Sequence, residues 1–190
     1  MPLRALHTPM IRVALIVAPL LTACASLDAT DQVDREAPDD WPFARFAGTW
    51  TLQNDTFQQV WDGSTVETRT IPNHITICDR VNTDKSILCA VDAGDFQGHI
   101  LWAYAEQSKS VHHLSHFGTS RLGTGSGSLD DQGNLQLTIA FSDEPQETYR
   151  EYTYTWVDVD TYTMTSRQYD EDGAATGNWY GGTFVRFTGE

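Results

Sequence analysis

Apolar and polar residues alternate along residues 46–187 with a period near two rather than 3.6, and turn-forming residues interrupt the alternation at short intervals. Candidate strands run over Phe46–Gln53, Phe57–Trp61, Thr65–Ile71, His74–Val81, Ser86–Val91, Gln97–Ala105, Ser110–Phe117, Arg121–Leu129, Leu135–Phe141, Glu147–Val157, Thr161–Tyr169 and Trp179–Phe187. Asp62-Gly63, Pro72-Asn73, Asn82-Thr83-Asp84, Asp131-Gln132-Gly133-Asn134 and Asp172-Gly173 separate them with residues that accept turn dihedrals. Nothing reads as a long helix. Tyr152, Tyr154 and Trp156 share one face against Glu151, Thr153 and Thr155, and Leu135, Leu137 and Ile139 stand against Asn134, Gln136 and Thr138. Sequential hairpins of this kind predict an all-β chain forming a single antiparallel meander β-barrel of about ten strands, with a sandwich as the other outcome.

The first forty residues follow a different pattern. Arg4 and Arg12 precede the apolar stretch Val13–Leu21, and Leu21-Thr22-Ala23-Cys24 supplies small residues for cleavage, which together predict an export signal. The stretch falls well short of the roughly 20 apolar residues that span a bilayer. Leu21–Cys24 also resembles the bacterial lipobox, which implies lipidation of Cys24 and a membrane partner through that anchor; the lesser alternative is simple secretion, since Ala23-Cys24-Ala25 also satisfies that cleavage pattern. Ala25, in place of aspartate, resembles the pattern for outer-membrane sorting, so the expected location is the bacterial cell envelope, on an outer-membrane lipoprotein facing the periplasm. Ala25–Asp40 carries six acids and one arginine with no apolar period, and reads as an extended tether. The expected organisation is a signal peptide over 1–23, an acidic tether over 24–41 and the barrel over 42–190.

Charge narrows the possible partners. Loss of residues 1–23 removes two arginines and no acid, moving the net charge from -14 to -16. Such a surface repels phosphate, so nucleic acid and anionic lipid headgroups are not expected partners. Protein partners are left unassigned by the sequence.

Gly48-Thr49-Trp50 in the first strand, the long meander, and Arg186 in the last strand resemble the lipocalin-like, or calycin, barrels, and the chain is most similar to their uncharacterised bacterial members. The resemblance implies that Trp50 closes one barrel end while Arg186 packs across it, with Gly48 completing the motif. Asp160-Thr161-Tyr162 is only a scrambled echo of the Thr-Asp-Tyr element of true lipocalins, so ligand identity does not transfer.

The residues that could carry chemistry are few. His112, His113 and His116 crowd one segment, but on a strand His112 and His116 stand about 13 Å apart and His113 points the other way. No metal and no cofactor are expected. Gly123-Thr124-Gly125-Ser126-Gly127 leads into a turn and another strand rather than a helix, which removes the phosphate-loop reading and leaves a strand stripped of side chains on one face. Cys78 and Cys89 flank a predicted hairpin and, in an exported chain, are expected to form a disulfide, with two buried free thiols as the alternative.

Trp102 and Tyr104 share one strand face, as do Tyr152, Tyr154 and Trp156. Together they form either a closed core or the walls of an apolar cavity with His116 and Arg121 at its mouth. The expected function is binding of a small hydrophobic ligand, or another non-catalytic envelope role. The alternatives are an enzyme using His116 or an acid as base, and a closed-core protein-interaction module.

Overall fold

Ten strands pair in chain order and the last returns to the first, so that the sheet has no free long edge. The computed structural model describes residues 41–81 and 84–189. The expected signal peptide, Cys24 and the tether up to Asp40 lie outside the described residues, as do Asn82 and Thr83. The strands are β1 (Gly48–Val60), β2 (Glu67–Thr70), β3 (Ile75–Arg80), β4 (Ser86–Ala93), β5 (Phe96–Ala105), β6 (Ser110–Phe117), β7 (Arg121–Leu129), β8 (Leu135–Phe141), β9 (Tyr149–Trp156), β10 (Thr161–Tyr169) and β11 (Ala175–Arg186). A 3-10 turn, Ala44–Phe46, precedes them. All pairings are antiparallel, and β1 with β3–β11 form the closed ring.

Two predicted strands, Phe46–Gln53 and Phe57–Trp61, are halves of one. β1 keeps its pairing with β11 through a register shift between Leu52 and Phe57. Asn54 and Asp55 occupy the left-handed region there, at φ 56° and 53°, a conformation these two residue types tolerate better than most. The bulge also changes partners on the other edge: Gly48–Trp50 pairs with β3, whereas Thr56–Gln59 pairs with the short, fully exposed β2.

Alternation decides what lies inside. In β8, Leu135, Leu137, Ile139 and Phe141 are buried while Gln136, Thr138 and Ala140 are exposed. Each such aliphatic or aromatic side chain contributes about 1.5–3 kcal/mol by leaving water. On β7 the inward positions are Gly123, Gly125 and Gly127; neighbouring backbone presses against the last two, and the side chains of Ser115 and Phe141 against the first. A Cβ at Gly125 or Gly127 would overlap the carbonyl oxygen of Thr138 or Gln136. The glycine run is thus a bend that lets β8 close onto β7.

Cys78 and Cys89 face each other across β3 and β4, buried, with Cα atoms 4.0 Å apart and their sulfurs bonded. Closing this short loop is worth about 2–3 kcal/mol.

Candidate functional site: two barrel mouths and the belt between them

Chain direction sorts the inward side chains into two mouths. One lies where β1 begins and β11 ends; the other lies where β8 ends and β9 begins.

The first mouth is plugged by the segment just before β1. Trp41, Phe43 and Phe46 are all buried. The Phe46 ring sits with its centroid 4.9 Å from Trp156, 5.3 Å from Trp102, 5.8 Å from Tyr162 and 6.0 Å from Tyr154, within the usual range for aromatic pairs. Trp50, fully buried, donates its indole N–H to the Phe46 carbonyl at 2.9 Å and fixes the plug to β1.

Arg186, paired directly with Trp50, lays its guanidinium 4.3 Å from that ring's centroid. It also donates to the Ala47 carbonyl at 2.7 Å and to Asp160 at 2.7 Å. A Cβ on Gly48 would stand 2.6 Å from the Arg186 Nη1, and the residue has φ 115°, so glycine is required where Arg186 crosses. Gly48, Trp50 and Arg186 therefore act as one closure.

The second mouth is closed by polar groups. Glu144, on the loop between β8 and β9, accepts from Arg150 Nε at 2.7 and 2.9 Å, from Arg121 Nη2 at 2.9 Å and from Gln168 Nε2 at 3.0 Å. Arg121 also grips Asp143 with Nη1. Arg150 is only 1% exposed, and its guanidinium carbon lies 4.9 Å from the Tyr180 ring centroid and 5.0 Å from that of Trp61. Its Nη1 is buried without a hydrogen-bond partner among the described residues. Tyr152 bonds Tyr180 hydroxyl to hydroxyl, directly across from buried Ser166. Burial, chiefly, raises the Tyr152 hydroxyl well above its ordinary pKa, so the group stays neutral. Inward apolar residues near this half, Phe57, Ile100, Met164 and Tyr180, are only partly buried.

Between the mouths runs a buried hydrogen-bonded chain. Trp102 Nε1 donates to His113 Nδ1 at 3.0 Å, which leaves the proton on Nε2, where it is given to Ser115 Oγ at 2.9 Å. Both ring nitrogens are thereby occupied. Burial lowers the His113 pKa to about 4, and the ring is neutral at pH 7. A histidine that donates to a serine cannot also accept its proton, so this pair is not arranged as nucleophile and base.

The expected site residues fall into several places. Trp102, Tyr154 and Trp156 surround Phe46, so the space they enclose is filled by the chain itself: at this mouth the aromatic set is a closed core rather than a cavity wall. Tyr104 is half-buried at the margin of that cluster. Tyr152 belongs to the polar half. Arg121 reaches the second mouth, its guanidinium carbon 3.8 Å from the Phe141 ring centroid.

His116 corrects the expectation, because it is exposed on the outer wall, where strand parity puts it with His112 and Leu114. The inward histidine of that strand is His113. Sequence reasoning missed His113, Arg150 and Glu144. Arg150 shares the parity of Tyr152, Tyr154 and Trp156, which was a usable signal, whereas a loop glutamate such as Glu144 offers none.

Two hollows, of about 400 and 240 Å3, open on the outer wall over β1 and β9–β11, the larger beside the bulge with Trp179 and Gln58 in its lining. Among the described residues no group of three or more histidine, cysteine or acidic side chains is arranged to hold a metal ion.

Neither a family model nor a curated protein matches the sequence. Among solved structures, the chain is similar to a de novo designed fluorescence-activating β-barrel, at 14% identity and TM-score 0.32 over 75% of this chain and 94% of that one. It is also similar to a protein of unknown function from the DUF3598 family of Nostoc punctiforme, at 8% identity and TM-score 0.21 over 77% of this chain and 98% of that one. At these scores neither likeness decides anything about ligand or activity.

Proposed function

We propose that the protein is a lipocalin-like barrel, held in the bacterial envelope by a lipid on Cys24, that binds a small hydrophobic ligand bearing an acceptor head group without transforming it. The observation that carries this reading is Arg150, a buried guanidinium with a free donor beside the half-buried ring of Tyr180 and the exposed ring of Trp61. Buried donors are ordinarily satisfied, and a ligand oxygen entering the polar mouth would satisfy this one while its apolar part desolvates against Phe57, Ile100 and Met164. The shared closure by Gly48, Trp50 and Arg186 supports the lipocalin-like assignment, and Leu21–Cys24 supports the anchor.

The test is a titration of the protein with a medium-chain fatty acid and with its methyl ester, followed by tyrosine and tryptophan emission. Saturable binding that prefers the acid, and loses that preference in Arg150→Met, is the expected result. Equal or absent responses to both probes refute it. Cys24→Ser should shift the protein out of the membrane fraction; unchanged fractionation would remove the anchor from the proposal.

A second reading is favoured by the outer wall. Leu88, Leu101 and Leu114 stand in one register row across β4–β6, with Ile77 and Leu122 in the next row, and all but Leu101 are more than a third exposed. Exposed apolar rows of this kind mark interaction surfaces. With no saturable ligand response, a closed-core interaction module becomes the reading to pursue.

A further inference from the structure

The outer wall also carries a pair of histidines that the barrel interior does not use. His99 on β5 and His116 on β6 are direct cross-strand partners, both exposed. The Gly118 N–H donates to the Gln97 carbonyl at 2.8 Å two positions further along the same ladder. Antiparallel pairs alternate in type, so His99 and His116 also form a hydrogen-bonded pair, with Cα atoms about 5.5 Å apart and side chains on the same face.

Two imidazoles held side by side by backbone pairing are already placed to share one ion. Each must bring a nitrogen to about 2.0–2.1 Å from it, well within the reach of adjacent rings that turn toward each other. Their surroundings favour this use. Ala90 and Leu122 flank the pair in the same row, and Leu101 and Leu114 stand in the adjacent one, so no cationic side chain opposes an incoming cation from these positions. His112 lies on the same outer face but four residues from His116, about 13 Å along an extended strand, and cannot join them.

We propose that His99 and His116 form a two-histidine site for a divalent transition metal of the zinc, nickel or copper class, with water completing the coordination. Imidazole suits these metals, whereas magnesium and calcium need oxygen ligands, and the nearest carboxylate along β4 on this face, Asp92, stands one register row away beside Gln97. Binding at this site is independent of the ligand reading above, because the two histidines face away from the barrel interior.

The experiment uses the full chain at neutral pH, titrated with nickel chloride and zinc chloride by calorimetry and by thermal unfolding. One ion per chain and a saturable rise in Tm are expected for the unmodified protein. His99→Ala and His116→Ala, both at exposed positions, should each abolish the rise, while His112→Ala should retain it. With copper(II), electron paramagnetic resonance should show two nitrogen ligands, falling to one in either single variant. The proposal is overturned if both His99→Ala and His116→Ala bind as before, or if His112→Ala loses binding equally, since either result assigns the metal to scattered surface groups. Magnesium chloride should give no saturable response, and an equal response to it would also overturn the assignment.

Discussion

At one mouth Phe46 is held by the faces and edges of four aromatic rings, whereas at the other Glu144 is held by three side chains that donate hydrogen bonds to its carboxylate. Both close the same barrel, but they close it by forces with different rules. Ring packing is non-directional and scales with area removed from water, so the plugged mouth cannot open without exposing Trp50, Trp102 and Tyr162 together. An ionic closure depends only on an acceptor being in the right place. Another anion or acceptor could take the carboxylate's position with little change in buried area. One end of this barrel is thus a foundation and the other is exchangeable.

The largest effect should come from emptying the plug. Phe46→Ala removes a fully enclosed ring and leaves a void among side chains that cannot all collapse, at a cost of about 3–5 kcal/mol. Urea unfolding should show a lower midpoint with the slope unchanged. A loss below about 0.5 kcal/mol, the scale of an ordinary surface change, would show that the segment is a loose cover.

Glu144→Ala tests the other mouth. It strands Arg150 in a buried position, and removal of one partner of a buried pair typically costs about 3–5 kcal/mol; the lower figure is expected because Glu144 keeps 10% exposure. Replacing both partners, as Glu144→Leu with Arg150→Met, should recover most of that loss, because the ionic pair exchanges favourable contact for the cost of desolvation. No recovery in the double variant would mean that Glu144 supports the loop for another reason.

The two mouths were unequally legible in the sequence. The plugged one could be read because Gly48, Trp50 and Arg186 form a spaced motif and because Tyr152, Tyr154 and Trp156 alternate visibly. What periodicity does not contain is the plug itself: Trp41 and Phe43 precede the alternation, Phe46 reads as the first residue of a strand but ends a 3-10 turn, and only tertiary packing brings all three inside. The polar mouth was largely hidden. Its carboxylate lies in a loop, where no periodicity applies, and its arginine occupies an inward position that charge alone argues against.

At His116 parity is legible but the face is reversed, since His113 and Ser115, which follow Val111 on the inward parity, are more polar than a core run should be. Their polarity is satisfied internally, His113 by Trp102 and Ser115 by His113, and the first pairing becomes visible only once β5 and β6 are in register. The merged β1 was missed for a related reason: Asn54-Asp55 reads as a turn, and here it is a bulge that leaves the ladder to β11 unbroken on either side.

The belt between the mouths supplies a smaller, pH-dependent effect. The His113 pKa, about 4 in the folded chain, lies below the ordinary 6.5, so between these values the unfolded chain binds a proton that the folded chain does not. Stability should therefore fall on acidification from about pH 6.5 and level off below about pH 4, with about 2 kcal/mol lost from this group by pH 5. His74, also buried, shifts in the same direction and adds to the slope. His113→Gln should flatten the dependence between pH 6.5 and 5; an unchanged slope would assign it elsewhere.

The smallest effect tests whether the two mouths are independent. Arg45 clasps the plug from outside: it donates to the Gln132 carbonyl at 2.7 Å and the Asp158 carbonyl at 3.1 Å, with its guanidinium carbon 4.1 Å from the Trp156 ring centroid. An exposed cation over an aromatic face contributes about 0.5–1 kcal/mol, and hydrogen bonds open to water add little, so Arg45→Ala should cost about 1 kcal/mol. Arg45→Lys should not restore it, because a single ammonium cannot span two carbonyls while lying flat on an indole. The strands between Trp156 and Arg150 carry these mouths roughly 20 Å apart at 3.3 Å per residue, a separation at which independent changes add to within about 0.5 kcal/mol. Arg45→Ala combined with Glu144→Ala should therefore lose the sum of the single losses. A larger discrepancy would show that the aromatic plug and the ionic closure communicate through Trp102, His113 and the tyrosine pair, and the polar mouth could then not be exchanged without loosening the foundation.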